Sequence, residues 1–115
     1  MAFVQYILLR DDLNFSRGAL VAQACHSSVC SIEKYRGHPD TIEYLRDLKS
    51  MAKIVLKIGE KDVKETESYL VAKGIDHTVW IESPENIPTC ISLRPYSRDQ
   101  IPEVVEYFRR FRLFA

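Results

Sequence analysis

Over its first twenty-odd residues the chain changes period once. A run of branched and aromatic residues gives way to a helical repeat, with a polar turn between them. Residues 3–9 (FVQYILL) read as a strand. Arg10-Asp11-Asp12 closes it, and Ser16 stands where a hydroxyl cap opens a helix that runs to about Tyr35. A strand followed so soon by a long helix commits the chain to an α/β plan. The crossover returns the next strand parallel to the first, with a right-handed connection. The start of such a helix presents unpaired N–H groups, which is how an α/β protein builds an anion-facing site. Here the segment SRGALVAQACHSS also carries Arg17, Gln23 and His26.

On a wheel of about 100° per residue, Val21, Cys25, Ser28 and Ile32 share one face, flanked by Leu20, Ala24 and Val29. This face is predicted to pack on the sheet. Ala19, Gln23, His26 and Cys30 form a second stripe nearly opposite. Gly37 and Pro39 then break the helix, and Ile42, Leu45 and Leu48 fit a short second one. Residues 52–58 form a dense apolar group between Lys53 and Lys57, which suits a central strand buried on both faces. Residues 61–73 read as a helix ended by Gly74. Residues 76–82 alternate, with His77, Val79 and Ile81 on one side and Thr78 and Trp80 on the other. The Ser83-Pro84-Glu85-Asn86 turn leads to a strand over 89–93, antiparallel to the one before. Ser97 caps a last helix over about 98–109, with Pro102 in its first turns, and the Phe111-Arg112-Leu113-Phe114 tail is predicted to dock. The order β-α-α-β-α-β-β-α gives a mixed four-stranded sheet flanked by helices, in one domain spanning 1–115.

Sixteen basic residues balance sixteen acidic ones. A strong nucleic-acid binder is usually basic overall, so any RNA contact must come from a local patch. The apolar run from Val4 to Leu9 is too short to span a membrane, and no cleavage site follows it, so no membrane association or secretion is expected. Cys25, Cys30 and Cys90 form no CxxC pair, and free thiols in a reducing compartment, the cytoplasm, are expected. His26, His38 and His77 show no metal-ligand spacing.

Arg17 is a cation at a helix start, where the dipole is already positive. It is either a solvated surface residue or half of an anion site formed with the helix amides, and Arg10 and Arg94 could extend such a patch. His26 is either a structural hydrogen-bonding group or an acid–base group. Gln23 shares its stripe and could orient a carbonyl or a water. Asp11 and Asp12 suit the turn itself. Glu82 and Glu85 are either solvated turn residues or a source of a base. Thr89 could donate from the start of the last strand. Lys53 and Lys57 share one face of their strand and, with Arg94 and the arginines near the C-terminus, could form a basic surface.

The run Arg10, Asp12, Leu13, Arg17, Gly18, Ala22, Gln23, Cys25, His26, with Lys53-Ile54-Val55-Leu56-Lys57 and Thr89, resembles the type 2 peptidyl-tRNA hydrolase family of archaea and eukaryotes. VAQACH, IDHTVWIESPENIPTCISLRPY and FRLF are most similar to its small eukaryotic peptidyl-tRNA hydrolase domain-containing branch. The resemblance covers nearly the whole chain. It implies a four-stranded mixed sheet with helices on both faces, often a homodimer, and hydrolysis of the ester joining a peptide to the tRNA 3′ ribose. It implies no metal and no organic cofactor, and tRNA or peptidyl-tRNA as partner. The implied site residues are His26, Gln23, Arg17 and Thr89, with Arg10, Arg17, Lys53, Lys57 and Arg94 as candidate tRNA contacts. Two departures stand out. The family has a GKGK-like segment where this chain reads Ser16-Arg17-Gly18-Ala19, so Ala19 replaces a lysine. The family's Asp-containing, Gly-rich loop is cut to residues 83–88. A tRNA-binding protein that lost the reaction, and a protein-interaction module, are the alternatives these departures raise.

Overall fold

A computed structural model describes residues 2–115. In chain order the elements are β1 (Phe3–Arg10), α1 (Arg17–Lys34), α2 (Pro39–Leu45), β2 (Lys53–Ile58), α3 (Glu60–Ala72), β3 (His77–Glu82), β4 (Ile87–Leu93), β5 (Tyr96–Ser97) and α4 (Pro102–Phe108). Short 3-10 turns occupy Leu48–Ser50 and Arg98–Gln100. The strands form one mixed sheet in the order β2-β1-β4-β3, with β5 pairing β1. β1 and β2 are parallel, as the helical crossover requires, and the remaining pairs are antiparallel. The fold class matches expectation, with one strand more than expected. Tyr96 and Ser97 pair with Val4 and Phe3, a contact too short to leave a periodic signal.

The sheet is covered on both faces. Val4, Tyr6 and Leu8 of β1, Leu56 and Ile58 of β2, and Ile91 and Leu93 of β4 meet Val63 and Leu70 of α3 and Val104 and Phe108 of α4. The opposite core, under α1, is smaller: Ile7, Leu9 and Cys90, with Leu20, Ala24, Val55, Trp80 and Phe114 against them.

The predicted wheel for α1 needs correction. Val21 and Val29 are 57% and 61% exposed, and Cys25 is exposed too, whereas Gln23, Ser27, Ser28 and Ser31 are buried. The sheet itself is polar here. Ser28 donates to Gln5 Oε1 at 2.6 Å, Ser92 donates to Ser27 at 2.7 Å, and Ser31 bonds both Thr78 and the Ser92 carbonyl. Hydroxyls paired across an interface bury without the cost of an unpaired polar group, so the serine face faces inward. Short side chains also let the helix approach the sheet closely.

β2 is an edge strand rather than a central one. Its outer edge is covered by the C-terminal tail: Lys57 N–H donates to the Arg112 carbonyl, and Phe114 N–H donates to the Val55 carbonyl. Backbone pairing from a distant segment removes the open edge that the apolar sequence would otherwise expose. α2 buries Thr41 and Tyr44 and leaves Ile42 exposed, while Leu48 falls outside it, exposed in the following 3-10 turn; of the predicted apolar stripe only Leu45 is partly buried. The last helix is split. Ser97 caps the 3-10 turn through a capping box with Gln100, and Pro102 opens α4 as its first residue, with Ile101 driven out of helical geometry ahead of it. Gly74 ends α3 at φ 68°, as read from the sequence. Among the described residues no helix is long and apolar enough to cross a membrane.

Candidate active site

The site is built on a break in the β3–β4 ladder. Trp80 pairs with Cys90, but the next residue, Ile81, pairs with Pro88. Thr89 is therefore an extra residue on β4, a bulge of the kind that re-aims a side chain next to a functional site. Cys90 packs under α1, and the bulge lets its neighbour Thr89 reach the same side, where Thr89 Oγ1 donates to Gln23 Oε1 at 2.9 Å. The β1–β4 ladder also ends at Leu9 and Cys90. Beyond it Arg10 Nη1 donates to the Pro88 carbonyl at 3.0 Å, and Arg10 Nε donates to Asp12 Oδ1 at 2.9 Å. The guanidinium takes over where the ladder opens.

Gln23 passes the chain of bonds on. Its Nε2 donates to Glu82 Oε2 at 3.0 Å, and Trp80 Nε1 donates to Glu82 Oε1 at 3.0 Å. An ionised carboxylate only accepts, so Glu82 determines which end of the Gln23 amide faces it, and the carbonyl end is left for Thr89. The Trp80 indole N–H, then the Gln23 amide, hold the Glu82 carboxyl below the usual carboxylate range, and His26 adds in the same direction. The His26 ring stacks on Trp80, with centroids 4.9 Å apart and planes 27° apart. Thr89 and Gln23 are buried, Glu82 is half-buried, and His26 is exposed. The groups a ligand can reach are therefore the Glu82 carboxylate and the His26 ring, with Gln23 and Thr89 behind them.

Arg17 lies elsewhere. It opens α1, whose N-terminal amides are capped by Ser16 Oγ accepting from Ala19 N–H. Its side chain lines an apolar groove of about 470 Å³ on the other flank of the helix, with Ile7, Leu20, Val21, Lys53 and Phe114. It has no ion pair among the described residues. Of the remaining candidate cations, Lys53 lines the same groove as Arg17, whereas Arg10 and Arg94 do not. Arg10 and Arg94 are each only 6% exposed. Arg94 sits at the opposite end of β4 from Thr89. It donates to Asp76, Asp40 and the Pro95 carbonyl, and lies over the Tyr96 ring. Lys53 Nζ donates to Gln5 Oε1 at 2.6 Å and to the Tyr44 hydroxyl at 3.2 Å, and burial lowers its pKa. Lys57, four residues further along β2, is half-buried. Arg98 donates to Tyr6, while Arg109 and Arg110 pair with Glu106 and Glu65.

Sequence reasoning named Glu82 but did not connect it with Gln23, and it gave Trp80 no role. The signal available was the alternation Thr78, Trp80, Glu82, which sets all three on the α1 side. Glu85, the alternative carboxylate, is exposed in the turn. Among the described residues no group of three or more His, Cys, Asp or Glu could hold a metal ion. Cys25, Cys30 and Cys90 are free.

A family model described as "Peptidyl-tRNA hydrolase PTH2" matches residues 3–111. The chain is 49% identical over 117 aligned positions to a Mus musculus protein named "Putative peptidyl-tRNA hydrolase PTRHD1", covering 96% of this chain and 81% of that one. The Homo sapiens protein of the same name is 47% identical with the same coverage. A "Peptidyl-tRNA hydrolase" of Methanothermobacter thermautotrophicus is 29% identical over 110 positions, covering 87% of this chain and 92% of that one.

Proposed function

The chain belongs to the peptidyl-tRNA hydrolase PTH2 family, and on that premise we propose that it hydrolyses the ester between a peptide, or an N-blocked amino acid, and the 3′ ribose of tRNA. The observation that carries the reading is the chain of bonds Thr89–Gln23–Glu82–Trp80, which holds one carboxylate at the surface beside an exposed histidine. Ester hydrolysis needs a placed water, donors for the oxyanion, and cations for the tRNA phosphates. In this proposal Glu82 accepts a hydrogen bond from the attacking water and fixes its direction. Its depressed pKa makes it a weak base, so its contribution is orientation more than full proton removal. It stands in for the acid of the family loop that residues 83–88 shorten. Gln23 and His26 line the site, and Thr89 supports Gln23. Arg17 and the α1 amides hold the acceptor end. Arg17 and Gln23 stand six positions apart on the helix, about 9 Å along its axis and about 120° around it, so an acceptor end that reaches both crosses over the start of α1.

The same proposal includes a homodimer and a cytoplasmic setting, the latter suited by the three free thiols. The test is turnover of N-acetyl-phenylalanyl-tRNA by the purified protein. Release of N-acetyl-phenylalanine, lost in Glu82→Ala and in Gln23→Ala, is expected. Absence of turnover by the wild type overturns the hydrolase reading, and tRNA binding without turnover moves it to a binding protein.

A further inference from the structure

We propose that the outer face of the His26 ring, stacked on Trp80, is a platform for the terminal base of the tRNA acceptor end. This inference rests on the hydrolase reading for its ligand and adds a subsite to it. His26 is exposed while Trp80, beneath it, is half-buried. The two rings lie 4.9 Å apart at 27°, an offset stack. A ring held flat on a second ring keeps its other face open, and a planar base adds there without reorganising either one. Base–aromatic stacking needs no hydrogen-bond readout and costs little side-chain ordering when the ring is already fixed. Trp80 is itself fixed, because its indole N–H is bonded to Glu82.

Electrostatics selects which part of the acceptor end belongs here. The Glu82 carboxylate is ionised and close enough to feel His26, so a phosphate beside it is repelled. The uncharged base and ribose are not, and ribose hydroxyls can donate to the Glu82 lone pairs that Trp80 and Gln23 leave free. Phosphates are directed instead toward Arg17 and the α1 amides. The terminal nucleoside therefore sits at His26, with its ribose, and the ester on it, turned to Glu82. His26 thereby acts through its ring face rather than through proton transfer at its nitrogens.

The test compares tRNA with an intact CCA end against the same tRNA lacking the terminal adenosine, by fluorescence anisotropy, for wild type, His26→Ala and His26→Phe. Removal of the adenosine is expected to weaken wild-type binding roughly tenfold, the scale of one stacked base. His26→Ala is expected to bind the intact tRNA equally weakly and to lose nothing more when the adenosine is absent, the signature of a coupled pair. His26→Phe keeps the ring face without its nitrogens and is expected to stay within about twofold of wild type in binding and in kcat; the retained kcat is what a proton-transfer role forbids. In turnover, His26→Ala is expected to raise KM and leave kcat nearly unchanged. The inference is overturned if His26→Ala still distinguishes the two tRNAs, if His26→Phe binds as poorly as His26→Ala, or if wild type does not sense the adenosine. Adenosine-dependent binding without turnover would support the platform while ending the hydrolase reading. Turnover indifferent to His26 would end the platform and leave that reading standing. Far-UV circular dichroism reports whether each variant is folded, because Trp80, the only tryptophan, touches the substituted ring and its emission changes without unfolding.

Discussion

Gln23 and Glu82 lie 59 residues apart in sequence, and their side chains meet at 3.0 Å with the amide donating. This single bond decides the orientation of an otherwise symmetric-looking group. With its NH2 turned to the carboxylate, Gln23 offers its carbonyl to Thr89. Replacing Glu82 by Gln keeps the shape and lets the new amide accept from only one of its two donors, Gln23 or Trp80. Turnover of N-acetyl-phenylalanyl-tRNA is expected to fall on the order of tenfold or more in Glu82→Gln, chiefly in kcat, because an orientation realised in the transition state is lost. Glu82 titrates below the usual carboxylate range, so the wild-type rate is expected to hold across neutral pH and to fall only as pH drops through that lowered value. The same sign applies to stability: the bonds to ionised Glu82 stabilise the fold above the unfolded pKa and are lost as acid protonates it. A pH–rate profile retaining its acid limb in Glu82→Gln would assign that limb to another group.

The serine layer under α1 gives a second prediction. Ser31 bonds both Thr78 and the Ser92 carbonyl in a fully buried position. Ser31→Ala strands the Thr78 hydroxyl and is expected to cost about 1–3 kcal/mol. Ser31→Val adds overpacking of a closely approached interface, about 1–3 kcal/mol more. Adding Thr78→Val to Ser31→Ala removes the stranded group and is expected to recover part of the loss. Urea midpoints at constant slope measure all three.

These two cases mark what the sequence could reveal. Ser16 as cap, Gly74 as terminator, the parallel β1–β2 pair and the alternation of β3 depend on local chemistry or on connection length, and residues 3–82 state them openly. The inward face of α1 does not, because a serine reads as polar until the hydroxyl it pairs with is known, and Ser92 and Thr78 come from strands 47 to 65 residues away. β2 reads as central because its sequence is apolar, and only the tail's backbone pairing reconciles that pattern with an edge. Thr89 was legible as a residue but its direction was not, since a bulge is a property of two registers. The candidate site was thus visible as a set of residues on α1 and invisible as a geometry, because its carboxylate arrives from β3.

Arg94 is held between two carboxylates, donating to Asp76 at 2.8 Å and to Asp40 at 3.0 Å, and so ties the start of α2 to the strand ends. Arg94→Lys cannot reproduce the fork or the stacking on Tyr96. Breaking a buried pair costs about 3–5 kcal/mol. Asp76 is partly exposed, which screens its share, and the expected loss is about 2–3 kcal/mol. Thermal and urea unfolding of Arg94→Lys beside wild type measure it, and a loss under about 0.5 kcal/mol would place the pair among solvated surface contacts.

The three thiols are expected to react in a fixed order. Burial pushes the Cys90 thiol up to about 11, with its sulfur packed between the sheet and α1, so it stays protonated and shielded. Cys25 is exposed and Cys30 partly so. Alkylation by iodoacetamide at neutral pH, followed by peptide mass spectrometry, is expected to modify Cys25 first, then Cys30, and Cys90 only after denaturant unfolds the chain. Cys25 sits on the rim of the apolar groove with Val21 and Val29, so the same reagent reports whether a second copy covers that groove. If the homodimer forms there, Cys25 is expected to become slower to react as protein concentration rises. Val21→Glu, which places a charge in the apolar wall, is expected to restore the fast rate and to give a monomeric mass by light scattering. Concentration-independent labelling of Cys25, with a dimeric mass in both proteins, would put the dimer contact on another face.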